Sequence, residues 1–147
     1  MPEPSARRLL PVVLAYLPVP TLGAILSFAW NVGASPEGGP GDMFLRGTAL
    51  TPPLFLPAVL VAAAYAARRR GRTARLGAGF AALVGAAFLA GSTANLPNDF
   101  AAAKAAGSPL ALTAFLAVVH IALAVTLLYN SVPTLFGRHT RTAAPVA

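Results

Sequence analysis

The chain has 147 residues, of which 56% are hydrophobic and only 10% charged, and it carries a net charge of +7. That balance excludes an ordinary soluble domain, and the lack of cysteine excludes disulfide frameworks and thiolate chemistry. The basic residues sit beside apolar runs without aromatic platforms, so anionic lipid headgroups fit them better than a nucleic acid does.

Four apolar runs, at residues 9–32, 49–67, 76–94 and 109–130, contain no Asp, Glu, Lys or Arg. Each is near the roughly 20 residues needed to cross about 30 Å of hydrocarbon. The expected fold is all-α: an integral membrane four-helix bundle in one domain over residues 1–137, with a disordered cytoplasmic tail at 138–147. With the N-terminus inside, Arg7, Arg8, Arg68, Arg69, Arg70, Arg72, Arg75, Arg138 and Arg141 face one acid, Glu3, on the inner side. The outer loops then hold Arg46 and Lys104 against Glu37, Asp42 and Asp99. Retention of Arg and Lys on the cytoplasmic side predicts both termini inside. The richness in Ala, Gly, Pro and Arg points to a multi-pass protein of a bacterial plasma membrane, with the lipid bilayer as its first partner.

The first run follows Arg7-Arg8, which resembles a secretion signal, and Val32-Gly33-Ala34 resembles a cleavage site. The apolar stretch exceeds a signal core of about 7–15 residues, so it reads as a retained helix. Pro18 and Pro20 should bend it, with Tyr16, Thr21 and Ser27 available for the freed backbone groups. Trp30 and Asn31 end it at the outer interface. A Gly- and Pro-rich loop follows, and Met43-Phe44-Leu45 within it is apolar enough to lie on the membrane or cover the bundle. Thr51-Pro52-Pro53 reads as an N-cap with prolines in the first turn of the second span. That span runs to the Arg68-Arg69-Arg70 stop.

The third run repeats small residues every four positions. Ala78, Ala82, Ala86, Ala90 and Ala94 form one row, and Gly77, Ala81 and Gly85 another. Such rows let helix backbones approach closely in lipid, so this helix is expected to pack centrally or against a second copy or another membrane protein. Asn95-Leu96-Pro97-Asn98-Asp99 terminates it. Ser108-Pro109 opens the fourth run in the cap-then-proline manner, and Val132-Pro133 should break it.

His120, near the middle of the fourth run with Thr113 on the same face, is the one ionisable side chain apart from tyrosines inside a span. Intramembrane ionisable groups usually face the bundle interior, so His120 is the candidate catalytic base, with a helix-bridging role as the alternative. No span holds a second His, a Cys or a carboxylate, so neither a metal nor a cofactor is expected. Asn95, Asn98 and Asp99, meeting Trp30 and Asn31 at the same depth, are the candidate ligand-binding residues for a polar edge of an apolar small molecule.

The pairs Asn95-Leu96-Pro97-Asn98-Asp99 and Thr51-Pro52-Pro53-Leu54-Phe55 resemble motifs of the DUF1772 family, small four-helix membrane proteins that include the anthrone oxygenases. The likeness covers the length and the four-span plan, with one residue fewer between Pro97 and Asn98 than in the family's Asn-x-Pro-x-Asn pattern. It implies cofactor-free oxidation of a polyketide anthrone by O₂, His120 being the base in this chain and asparagines holding the enolate oxygen. Two other readings stand beside this one. The chain can be a non-catalytic accessory subunit packing through its third helix. A transporter ranks lowest, because no carboxylate lies within a span.

Overall fold

The computed structural model describes residues 4–136; Glu3, Arg138, His139, Arg141 and the tail expected at 138–147 lie outside the described residues. The described residues form six α-helices: α1 (Pro4–Tyr16), α2 (Pro18–Ala29), α3 (Phe55–Ala67), α4 (Arg72–Ala94), α5 (Leu96–Ala105) and α6 (Leu110–Phe136). A short 3₁₀ helix, Pro40–Phe44, lies between α2 and α3. Among the described residues three stretches are long and apolar enough to cross a membrane, Arg7–Ala29, α4 and α6, and they mark a membrane protein. The fourth apolar helix, α3, has 13 residues.

The first apolar run forms two consecutive helices interrupted at Leu17. Neither Pro18 nor Pro20 has an N–H to donate, so the helix pauses at Leu17, whose own N–H reaches Val13 and Leu14. Thr21 Oγ1 donates to the Leu17 carbonyl at 3.0 Å and Ser27 Oγ to the Gly23 carbonyl at 2.8 Å. The Tyr16 hydroxyl is buried without a partner.

The second apolar run becomes helical only at Phe55. Residues 48–51 form a tight turn closed by Thr48 and Thr51, and Pro52-Pro53 keep the chain extended before α3. Thr51 therefore does not cap the helix. Its hydroxyl donates instead to the Pro20 carbonyl at 3.1 Å. The turn lies on the small-residue face of α2. Ser27 and Thr48 hydroxyls pair at 2.6 Å, and Gly23 lets the Leu50 carbonyl come so close that a Cβ there would collide with it. Met43 and Leu50 are fully buried, whereas Phe44 and Leu45 project outward. The loop's apolar dip thus covers the helices with one side chain and exposes the next two.

Two further elements differ from the sequence expectation. The stretch after Asn95 is a helix, α5, because Pro97 falls in a first turn where its missing N–H is no loss. The fourth run continues through Pro133 to Phe136. Pro133 removes only the bond to the carbonyl of Tyr129, an exposed residue, so the helix persists past it. Ser108 does not cap α6, since its Oγ is buried without a partner; the Pro109 carbonyl accepts the first bonds, from Leu112 and Thr113.

Helices α1, α3, α4 and α6 follow one another cyclically, with α4 against α6 and α3, and α1 against α3 and α6. Their shared core includes Leu9, Val13, Leu60, Ala64, Phe88 and Leu127. A second cluster, built from Val32, Leu50, Ala102, Ala103 and Leu116, joins α5 and the long loop to the start of α6.

On α4 the buried face carries Gly77, Ala78, Ala81 and Gly85 together with Val84 and Phe88. A Cβ at Gly77 would meet the backbone of Ala63, Ala66 and Ala67, and one at Gly85 would lie 3.2 Å from the Ala124 carbonyl. These residues set the approach of α4 to α3 and α6. Ala82 is half-buried, and Ala86 and Ala90 face outward from the single chain.

Candidate functional site

A cavity of about 440 Å³ opens at the end of the helices that carries α5. Its walls come from every part of the chain that meets there. Phe88, Gly91 and Ser92 lie on the last turns of α4, Asn95 ends that helix, and Asp99 follows on α5. Leu56 comes from α3, and Ala117 and His120 from α6. The loop before α3 supplies Arg46, Thr48, Thr51, Pro52 and Pro53. Asn95 lies seven positions after Phe88, so the cavity reaches about 10 Å down that helix.

The two ends differ in chemistry. The α5 end is polar, with Arg46, Asn95 and Asp99. Deeper, Leu56, Ala87, Phe88 and Ala117 form an apolar sleeve around His120. A volume of this size, mostly apolar with a few convergent polar groups, falls within the usual range for small-molecule sites of about 300–1,000 Å³. Gly91 adds to the space: a Cβ there would meet nothing within 4 Å.

His120 is 9% exposed. Its ring hydrogen-bonds the Leu116 backbone one turn earlier, while Nε2 is buried with no partner. A ring nitrogen that binds a helical carbonyl must donate, which leaves Nε2 as the lone-pair acceptor. Two aromatic rings hold the imidazole on edge. Tyr16 lies 5.7 Å away between centroids at 75°, and Phe88 6.3 Å away at 77°. Rotation of the imidazole is therefore restricted by packing as well as by its backbone bond.

Asp99, at the polar end, has its carboxyl pKa pushed up to about 6 by burial, which disfavours the charged form. The loop that presents Arg46 is itself fastened. Asp42 accepts the N–H groups of Arg46 and Gly47 on its backbone carbonyl, at 2.8 and 2.9 Å, and that of Ala34 on Oδ2 at 3.1 Å. Gly47 takes φ of 82°, the left-handed region open to glycine, and turns the chain toward Thr48.

Of the residues singled out in the sequence, His120, Asn95 and Asp99 line this cavity. Asn98, one position from Asp99, is exposed and lines neither cavity described here. Trp30 and Asn31 lie at a separate, smaller cavity of about 230 Å³ with Ser35, Pro36 and Ala102. Thr113 is buried but is not part of the wall. The wall residues Arg46, Thr48, Phe88, Gly91 and Ser92 were not legible as site residues. Only the apolar Met43-Phe44-Leu45 signalled that this loop returns to the helices. Among the described residues no group of three His, Cys, Asp or Glu side chains is placed to hold a metal ion. No family model, curated protein or solved structure matches this chain.

Proposed function

We propose that this is a four-span protein of a bacterial plasma membrane, with both termini cytoplasmic, whose helices enclose a binding pocket for an apolar aromatic small molecule. Helix α3 serves as the remaining span, its roughly 20 Å of helix extended by Pro52-Pro53 and ended by Arg68-Arg69-Arg70. The observation that carries the reading is His120, a buried imidazole with an unpaired acceptor nitrogen in the wall of a cavity. The Tyr16, Ser108, Thr113 and Ser131 hydroxyls are also buried without a partner, but of these five atoms only His120 Nε2 belongs to a residue of the cavity wall, where a ligand could satisfy it. A ligand hydroxyl, or an acidic C–H, is the group that Nε2 would engage.

Support for an oxygenase-like activity comes from the two stretches that resemble the anthrone oxygenases. Asn95 and Asp99 of one, and Thr51, Pro52 and Pro53 of the other, share a single wall with His120. In that chemistry Nε2 takes the proton from an activated CH₂ carbon, and the carbanion reacts with O₂. The carbon is oxidised from CH₂ to C=O, one oxygen atom becoming the carbonyl and the other leaving as water. Asn95 lies on the side where an enolate oxygen can be held. No cofactor is needed, because the substrate anion itself supplies the electrons.

The test is binding and turnover of hydroxylated polycyclic aromatics by protein purified in mild detergent. Gly91→Leu should fill the cavity and abolish binding without loss of thermal stability, since nothing opposes a side chain there. Unchanged binding in Gly91→Leu would remove this cavity as the site. A second reading is favoured by one observation, the outward-facing Ala86 and Ala90 beside exposed Phe80 and Leu83 on α4. That face suits a second copy or a membrane partner, and native mass spectrometry of subunit number separates an accessory subunit from a ligand-binding one.

A further inference from the structure

The cavity has a charged group at its mouth that the binding of an apolar body does not use. Arg46 lies in the same wall as His120, and its side chain makes no hydrogen bond or ion pair among the described residues. Its nearest acid in sequence, Asp42, is occupied with the Ala34 N–H. The loop around Arg46 is held by three bonds to Asp42 and by the Thr48 turn fixed to α2, so the guanidinium is presented from a fastened backbone. The other polar groups at that end are the neutral Asn95 and Ser92 and one acid, Asp99.

We propose that the cavity selects an elongated aromatic molecule bearing a carboxylate or comparable anion at one end and a hydroxyl at the other, with Arg46 as the residue that determines specificity for the anion. This rests on the cavity reading above. The hydroxyl donates to His120 Nε2, the rings fill the sleeve beside Phe88 and Leu56, and the anion sits with the guanidinium. Arg is suited to this because its planar fork matches a carboxylate with two parallel bonds. The cavity's reach of about 10 Å along α4, from Phe88 to Asn95, suits a body of roughly two fused rings.

Asp99 makes the selection depend on pH. The ionisable groups in the wall are Arg46, Asp99 and His120, with Asp42 behind the loop. Above about pH 6 Asp99 is a carboxylate that opposes a second anion; below it Asp99 is neutral and that opposition ends. Anion binding therefore tightens as pH falls.

The experiment uses two probes of the same shape, 6-hydroxy-2-naphthoate and 6-hydroxy-2-naphthamide, titrated calorimetrically into the full chain in mild detergent. The carboxylate should bind more tightly than the amide, on the order of tenfold at about pH 5.5, and Arg46→Gln should abolish the difference. The advantage should shrink toward about pH 7.5, and Asp99→Asn should make it equal at both. Equal affinities in the unaltered protein, or a carboxylate preference that survives Arg46→Gln, would overturn the assignment. Gly91→Leu separates the two levels of the argument. If it blocks both probes while they bind equally well to the unaltered chain, the cavity stands and the anion end is wrong. If neither probe responds to Gly91→Leu, both readings fall.

Discussion

Thr51 Oγ1 donates to the Pro20 carbonyl at 3.1 Å, tying the turn before α3 to the middle of a membrane-length rod 31 positions earlier in the chain. The partners explain each other. The prolines around Pro20 weaken the helical ladder there, and Pro52 holds Thr51 extended so that its hydroxyl is free to reach across. The result is a fixed wall for the cavity, since Thr48, Thr51, Pro52 and Pro53 all belong to it.

Disrupting that anchor should be costly. Gly23→Ala places a methyl against the Leu50 carbonyl and is expected to lower stability by about 1–3 kcal/mol. Thr51→Val, which removes one buried bond, should cost about 1 kcal/mol. Thermal unfolding in detergent measures both; a Gly23→Ala protein as stable as its parent would show that the close approach is not maintained in the membrane protein.

The two rows of small residues on α4 should behave differently. Gly77→Ala forces α4 away from α3 and should destabilise the chain by about 1–3 kcal/mol. Ala90→Leu, on the outward face, should leave monomer stability within about 0.5 kcal/mol. A change of subunit number in Ala90→Leu, read by native mass spectrometry, would identify that face as a contact between copies.

At His120 function and stability should part company. His120→Leu replaces a buried, half-satisfied polar group with an apolar one of similar reach, so thermal stability is expected to hold or rise by about 1 kcal/mol. Ligand binding or turnover should be lost. Marked destabilisation with retained activity would make the histidine a structural bridge.

Asp99 predicts the direction of a pH effect. Its carboxyl has a pKa of about 6 in the folded chain against 3.8 for the free group, so between those values the folded state holds a proton that the unfolded state releases. Stability should therefore rise as pH is lowered from about 7 toward 4. Asp99→Asn should remove that part of the slope. A slope identical in both proteins would assign it to other groups.

Membrane orientation has a direct readout, because the chain has no cysteine of its own. Ser35→Cys should react with an impermeant maleimide added to intact cells, and Arg70→Cys only after the membrane is opened. Labelling in the opposite sense would invert the topology.

How much of this was legible beforehand follows from the range of the forces involved. The long apolar runs and the flanking arginines act locally, each through transfer into hydrocarbon or retention beside it, so their positions in the chain suffice to read the all-helical, membrane-suited plan. His120 was visible for the same reason, as a polar group in an apolar run. Its unpaired Nε2 was not, since that depends on Tyr16 from α1 and Phe88 from α4 closing around the ring. Likewise Gly77 and Ala86 belong to equally regular rows in the sequence. Only the placement of α3 and α6 around α4 makes one a contact and the other an outer surface.

The loop between α2 and α3 is the plainest case of the second kind. A run of prolines and glycines specifies turns, and Thr51 before Pro52 is a reasonable helix cap by local rules alone. Its hydroxyl instead serves a carbonyl 31 positions away, because burial on α2 makes that unpaired group costlier than an uncapped helix end near solvent. Local composition determines which segments are apolar, where they stop and which polar groups they carry. Which of those groups meet in one cavity is decided by long-range packing, where each backbone and side-chain partner is chosen from all the elements that the fold brings within reach.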